Sequence, residues 1–149
     1  MTDIAFHVHV PEKLAYSCRL LRKMHLSGAA VAVTAEPDVL AELDALLWNF
    51  STTEFIPHCL ATASPETVAV TPIVLASHLV HLPGRTVLLN LGQSIPEEFE
   101  KFERLIEVVS QTPEDLQAGR GRWKEYAGRG HDLKRHDLAS WSAEVVGTQ

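Results

Sequence analysis

The side chains best suited to chemistry lie close together near the end of the chain, in residues 119–136. This stretch holds six basic and two aromatic residues against two acidic ones: Arg120, Arg122, Lys124, Arg129, Lys134, Arg135, Trp123, Tyr126, Glu125 and Asp132. Its local charge is therefore +4, whereas the whole chain of 149 residues carries −6. Because summed charge decides what a surface attracts, this asymmetry predicts an anionic partner.

The other reactive side chains do not form a recognisable catalytic or metal-binding set. The pairs His7/His9 and His78/His81 lack a clear third ligand, so hydrogen-bonded histidines are expected rather than a metal site. The chain has no GxxxxGK(S/T) motif, and no glycine-rich turn follows the first predicted strand, as a nucleotide-binding loop would require. No motif pairs a nucleophile with a base. The sequence therefore predicts a protein without a cofactor, a metal or an active site of its own.

A second group of aromatic side chains follows the second predicted helix. Trp48, Phe50, Phe55 and Pro57 lie in or next to the segment 49–66, whose turn and polar residues predict a long loop. Clustered aromatic residues with a polar rim are typical of the energetic centre of a protein–protein interface. Trp48 alone fits a core position equally well.

Hydrophobic periodicity places both groups on an α/β domain. Strands are predicted at 4–10, 29–35, 67–75, 86–91 and 104–110, and helices at 12–26, at 37–48, at 96–102 and from Thr112 into the basic stretch. Short apolar strands that alternate with helices are typical of a parallel sheet. We therefore predict a Rossmann-like three-layer fold, with a mostly parallel five-stranded sheet flanked by helices.

Length and composition predict one domain over residues 1–142, followed by a flexible tail at 143–149. No apolar run approaches the roughly 20 residues that cross a bilayer, and the N-terminus lacks the basic start and apolar run of a signal peptide. We therefore expect a cytoplasmic protein that makes no membrane contact.

Two segments carry a resemblance to a known family. LDALLWNFSTTEFIPHCLA (43–61) resembles the pattern LDxxLW…FxPHxLA of the chi subunit of bacterial DNA polymerase III holoenzyme. RLIEVVSQTPEDLQAGRGRWKEYAGRGHDLKRHDLASW (104–141) resembles the C-terminal strand, helix and closing tryptophan of the same family. The helix pattern R-x-R-(Y/W)-K-x-Y is matched by Arg120, Arg122, Trp123, Lys124 and Tyr126. The two motifs occur in the family's order, and the resemblance covers essentially the whole chain.

The resemblance implies a non-catalytic accessory subunit of the replicative clamp loader, a monomer alone that functions in heteromers. One face would bind the psi subunit or, alternatively, a repair helicase. The other would capture the acidic C-terminal tail of single-stranded DNA-binding protein (SSB), which ends in a hydrophobic dipeptide and a free carboxylate. Contact with single-stranded DNA would then be indirect, through SSB.

The same resemblance assigns residues to the two faces. It places the SSB-tail site at Val109, Arg120, Trp123 and Lys124, together with Arg122 and Tyr126. It places the psi or helicase site at Trp48, Phe55, Pro57 and His58. The chain departs from the family pattern at Trp123, where tyrosine is common, and in GRGHDLKRH (128–136), which is longer and more basic. The roles of Arg129, Lys134 and Arg135 stay open.

Two other functions compete with this interpretation. The basic aromatic stretch also suits direct binding of single-stranded nucleic acid, because cations and stacking rings serve both kinds of ligand. That function predicts oligonucleotide binding without SSB and with steep salt dependence. An enzyme that uses a nucleotide would instead be stabilised thermally by ATP or NAD.

Overall fold

The computed structural model describes residues 2–50, 55–79 and 84–138. Within these ranges the strands are β1 (Asp3–Val10), β2 (Val31–Thr34), β3 (His58–Leu60), β4 (Ile73–Leu75), β5 (Val87–Asn90), β6 (Arg104–Ser110) and β7 (Leu133–Asp137). The helices are α1 (Lys13–Leu26), α2 (Pro37–Trp48), α3 (Pro65–Val70) and α4 (Pro113–Gly128), with one 3-10 turn at Phe99–Lys101. The predicted tail at 143–149 and the closing Trp141 of the family pattern lie outside the described residues.

All the described strands form one parallel sheet in the order β3-β4-β2-β5-β6-β1-β7. Helices cover both faces, because each β-α-β crossover returns the chain to the sheet in the right-handed sense. α1 and α2 pack on one face, around Leu21, Leu43 and Val33. α4 and the 3-10 turn pack on the other, around Phe6, Leu105 and Tyr126. The Rossmann-like three-layer class is confirmed.

The predicted count of five strands is wrong, since the described residues contain seven. β3 lies in the segment predicted as a loop, and it is a three-residue strand that pairs with β4 alone. β7 reads LKRHD and lies in the second half of the basic stretch, where no strand was predicted. Both are edge strands, where short length and charged side chains are common and no apolar pattern is needed.

Two local predictions are also corrected. The segment 67–75 is not one strand, because residues 65–70 form α3 and only Ile73–Leu75 pairs in the sheet. Ser64 caps α3 by accepting a hydrogen bond from the Thr67 backbone N–H at 3.3 Å, and Pro65 supplies the favoured first helical residue. The acidic helix predicted at 96–102 is reduced to the 3-10 turn.

In the described part of the chain, no helix combines the length and the apolar character needed to cross a membrane.

Candidate functional site

The start of α4 is fixed to both neighbouring elements. Thr112 caps the helix, since its hydroxyl oxygen accepts the Asp115 backbone N–H at 3.3 Å. Asp115 Oδ2 accepts the Ser110 backbone N–H at 2.7 Å and Lys13 Nζ of α1 at 3.0 Å. Burial alone would raise the pKa of Asp115, but these two donors hold its pKa below the ordinary value. The helix therefore leaves the end of β6 in a defined direction.

The inner face of α4 follows the helical period through four buried residues: Asp115, Gly119, Arg122 and Tyr126. Gly119 lies directly over Val109 of β6. A Cβ atom placed on Gly119 would stand 3.0 Å from Val109 Cγ2. The absence of a side chain at residue 119 thus lets the helix backbone approach the sheet.

Two glycines on α4 are expected to respond to alanine with opposite signs. Gly119→Ala should lower the free energy of unfolding by about 1–3 kcal/mol, because the methyl group overpacks against a β-branched side chain. Gly121→Ala should raise it by about 0.5–1 kcal/mol, since nothing lies within 4 Å and alanine favours the helix. Urea unfolding of both variants checks the pair. Equal stabilisation by both changes would mean that α4 does not touch β6 at this point.

A buried polar network lies beneath the centre of α4. Glu107 of β6 accepts hydrogen bonds from Arg122 Nε at 3.0 Å, from the Tyr126 hydroxyl at 2.6 Å and from Asn90 Nδ2 at 2.9 Å. Arg122 also donates through Nη1 to the Gln93 carbonyl oxygen at 2.9 Å. Burial raises the pKa of Glu107, although its three donors favour the ionised form and oppose that shift. Burial and the Glu107 charge also raise the pKa of Tyr126, which keeps its proton as a donor.

This network changes the role of three residues predicted to contact the SSB tail. Arg122 is 3 % exposed, Val109 is 1 % exposed and Tyr126 is fully buried. Arg122 and Tyr126 donate hydrogen bonds to Glu107, and Val109 packs under Gly119. None of these three side chains faces solvent. A direct contact between them and a ligand on the outside of α4 does not fit this burial, so we interpret them as residues that position the helix.

The remaining three predicted residues lie together on the outer side of α4. Arg120 and Lys124 are exposed and stand one helical turn apart. Trp123 is half-buried, and its ring packs edge-on against Phe6 of β1 with 5.2 Å between centroids. We call Arg120, Trp123 and Lys124 the α4 surface. None of the described residues forms an ion pair or hydrogen bond with Arg120 or Lys124.

Two other cations of the basic stretch, Arg129 and Arg135, are already neutralised by neighbours. Arg129 lies 2.8 Å from Glu125 on the same helix, and Arg135 lies 3.0 Å from Asp137. The positive charge available to a ligand on α4 therefore comes from Arg120 and Lys124.

The second predicted group forms an exposed apolar surface at the β3 edge of the sheet. Trp48 is 56 % exposed and Phe55 is 60 % exposed, with 5.4 Å between their ring centroids. Leu60 of the edge strand β3 is also exposed. We call Trp48, Phe55 and Leu60 the β3-edge surface. The exposure of Trp48 excludes the alternative that it belongs to the core.

His58 supports this surface from within. Its ring lies 4.8 Å from that of Trp48, its Nε2 is 3.0 Å from Asp44 Oδ1, and its Nδ1 is 2.8 Å from the Ile56 carbonyl oxygen. The side chain of His58 is buried, and Pro57 is half-buried. His58 therefore orients Trp48 and is shielded from a partner by that ring.

Sequence reasoning missed Glu107, Asn90, Asp44 and Phe6, which hold the two surfaces in place. One signal was available in RLIEVVS, where a single carboxylate interrupts an otherwise apolar strand and must find a donor when buried. A second was the helical period, because Asp115, Gly119, Arg122 and Tyr126 repeat every three to four residues. That period separates Arg122 from Arg120 and Lys124.

Rossmann-like folds usually bind ligands at the carboxyl ends of their strands. In this protein that position holds a cleft lined by acidic residues, which does not suit a nucleotide. A cleft of about 430 Å³ lies at the carboxyl ends of β2 and β5, next to Thr34 and Asn90. Glu36, Glu97 and Glu98 line it and would repel phosphate groups. Among the described residues, no three His, Cys, Asp or Glu side chains lie together in a way that could hold a metal ion.

Comparison with known proteins gives consistent results. The family model described as "DNA polymerase III chi subunit, HolC" matches residues 1–134. The chain is 34 % identical over 146 residues to the DNA polymerase III subunit chi of Pseudomonas aeruginosa, covering 93 % of this chain and 98 % of that protein. It is 29 % identical over 124 residues to the subunit of the same name from Haemophilus influenzae, covering 82 % of this chain and 85 % of that protein.

Proposed function

The chain belongs to the family of DNA polymerase III chi subunits, which are accessory subunits in DNA replication, and from this premise we propose that it bridges two proteins. The α4 surface binds the acidic C-terminal tail of SSB. The β3-edge surface binds the psi subunit of the clamp loader or, in its place, a repair helicase. The protein acts in the cytoplasm, without an active site or cofactor of its own.

The observation that carries this proposal is the separation of the two surfaces. The β3-edge surface lies at one edge of the sheet, next to α2. The α4 surface lies over β6 and β1, near the opposite edge and on the opposite face. Two ligands can therefore occupy the protein at once, as a bridge requires.

The chemistry of the α4 surface suits the end of an acidic peptide. Arg120 and Lys124 have no ion-pair partner among the described residues, and either can hold a terminal carboxylate through charge-assisted hydrogen bonds. The exposed part of the Trp123 ring offers a flat apolar face for the hydrophobic dipeptide before it. A disordered tail loses conformational entropy on binding, so we expect an affinity on the order of micromolar.

The β3-edge surface has the composition of a protein interface. Trp48 and Phe55 are large, exposed and in contact with each other. Aromatic side chains of this kind dominate the binding energy of many interfaces. They stand beside β3, which is an edge strand of the sheet that the described residues form, and an edge strand can pair with an extended segment of a partner.

The α4 assignment is tested with a labelled peptide of the SSB tail sequence in fluorescence anisotropy. Arg120→Ala and Lys124→Ala are each expected to weaken binding about tenfold or more, because each removes a hydrogen bond to a charged group. Wild-type binding should weaken as salt is added. Removal of the terminal residue of the peptide should abolish binding.

Lys101→Ala is the matched control, since it removes an exposed cation that pairs with Glu98 at 3.2 Å and does not belong to the α4 surface. It should bind the peptide as the wild type does. Wild-type affinity in both α4 variants would refute the assignment of the tail site. No peptide binding, together with oligonucleotide binding lost in the same two variants, would indicate that the α4 surface binds nucleic acid directly.

A further inference from the structure

A groove on the α1 face of the sheet is not used by either surface described above. It lies between α1 and the strands β1, β6 and β7, and its volume is about 850 Å³. Clefts that hold small ligands commonly measure about 300–1,000 Å³. The groove is therefore large enough to enclose a compact ligand of nucleotide size.

The groove carries positive charge that its own residues do not neutralise. The described lining residues include one carboxylate, Asp137, and four cations: Arg19, Lys23, Arg104 and Arg135. Asp137 is already engaged, because it lies 3.0 Å from Arg135 and 2.8 Å from His9 Nδ1. No carboxylate of the described residues pairs with the other three cations.

His7 lines the groove, and both its burial and the positive charge of the groove lower its pKa. Its Nδ1 is 2.5 Å from the Tyr16 hydroxyl oxygen, and its ring is 5.1 Å from that of His136. Burial lowers the pKa of His7 from 6.5 to about 4, and electrostatic repulsion from His136, Arg104 and Lys23 lowers it in the same direction. Lys23 of α1 and Arg104 of β6 thus act on one point, where a bound anion would relieve their repulsion.

We propose that this groove binds a phosphate-bearing ligand, either a free nucleotide or a nucleotide-sized part of a single-stranded nucleic acid, through Arg19, Lys23 and Arg104. Two guanidinium groups can each hold phosphate oxygens in a bidentate manner, and phosphate concentrates negative charge in a small volume. The rings of Tyr16 and His136 border the same space and can stack against a base.

This inference goes beyond the bridging role, because the groove and the α4 surface lie on opposite faces and share no residue. It also differs from the usual Rossmann-like position, where Glu36, Glu97 and Glu98 would repel phosphate. Here side-chain cations supply the positive charge that a glycine-rich loop would supply through backbone N–H groups.

The test uses the full chain with three probes: a short labelled oligothymidylate, ATP and inorganic tripolyphosphate. The triple variant Arg19→Gln, Lys23→Gln, Arg104→Gln should lose at least about tenfold in affinity and show a shallower salt dependence. Lys101→Gln is the control and should bind as the wild type does. In NMR titrations of the wild type, the pKa of His7 should rise when a probe is bound.

Tighter binding of the oligonucleotide than of ATP would identify a nucleic-acid strand as the source of phosphate, and the reverse order would identify a free nucleotide. Wild-type affinity in the triple variant, or no binding of any probe at low salt, would overturn the proposal. So would displacement of the bound probe by an acidic peptide at equal concentration. The triple variant should still bind the SSB-tail peptide; its loss there would count against the α4 assignment and not against the groove.

Discussion

Replacement of Glu107 by alanine is expected to lower the free energy of unfolding by about 3–5 kcal/mol. The change leaves the Arg122 guanidinium buried without its counter-charge, and it removes the acceptor shared by Tyr126 and Asn90. Domains of this size are stable by about 5–15 kcal/mol, so a large fraction of the native stability would be lost. Urea unfolding followed by circular dichroism measures the difference.

Two variants make this expectation specific to the buried charge. Glu125→Ala removes the same side chain from an exposed pair with Arg129 and should cost less than about 1 kcal/mol. Glu107→Gln keeps the shape of the side chain, and it should cost about 1–3 kcal/mol because neutral acceptors hold Arg122 less strongly. If Glu107→Ala were as stable as Glu125→Ala, the Arg122 charge would have to reach solvent, and the network would not position α4.

The fold class was predictable because strands that are buried on both faces of a sheet consist of continuous apolar residues, which can be recognised in the sequence. VAVT, VLLN and most of RLIEVVS are apolar runs, and each corresponds to a central strand of the sheet. The edge strands do not contain such an apolar run. β7 is polar at most positions, and among the described strands its backbone pairs only with β1. Its existence depends on a neighbouring strand that is distant in sequence, which a local pattern cannot reveal.

The candidate site was predictable in composition but not in orientation. The six basic residues of one stretch predicted an anionic partner, yet their side chains lie in different surroundings. Arg122 turns inward to Glu107, while Arg129 and Arg135 pair with neighbouring carboxylates. Arg120 and Lys124 stay unpaired within the described residues. The number of basic residues can be read from the sequence. Which of these residues are accessible to a ligand depends on how α4 packs on β6.

The basic groove was not predicted because its parts come from distant segments. Arg19 and Lys23 belong to α1, Arg104 begins β6, and His136 lies in β7. Each is unremarkable alone as an exposed polar residue on an amphipathic element. They meet because β1 lies between β6 and β7 in the sheet.

The largest expected effect on assembly comes from Trp48. Trp48→Ala should weaken binding of the psi subunit by about 2–4 kcal/mol, which corresponds to roughly 30-fold or more in dissociation constant. The ring is more than half exposed, and it is held in place by contacts with Phe55 and His58. A partner that covers it gains apolar area without having to order a mobile side chain. Isothermal titration calorimetry with purified psi measures the change.

Leu26→Ala is the matched control, since it removes an apolar side chain that is 65 % exposed at the end of α1, away from the β3-edge surface. It should leave psi binding unchanged.

The bridging proposal also predicts that Trp48→Ala binds the SSB-tail peptide with wild-type affinity. The two surfaces share no residue, and the effects of mutations at distant sites are usually additive. Wild-type psi binding in Trp48→Ala would place the psi interface elsewhere. Loss of both partners would mean that the two surfaces are coupled through the sheet and do not act as independent ends of a bridge.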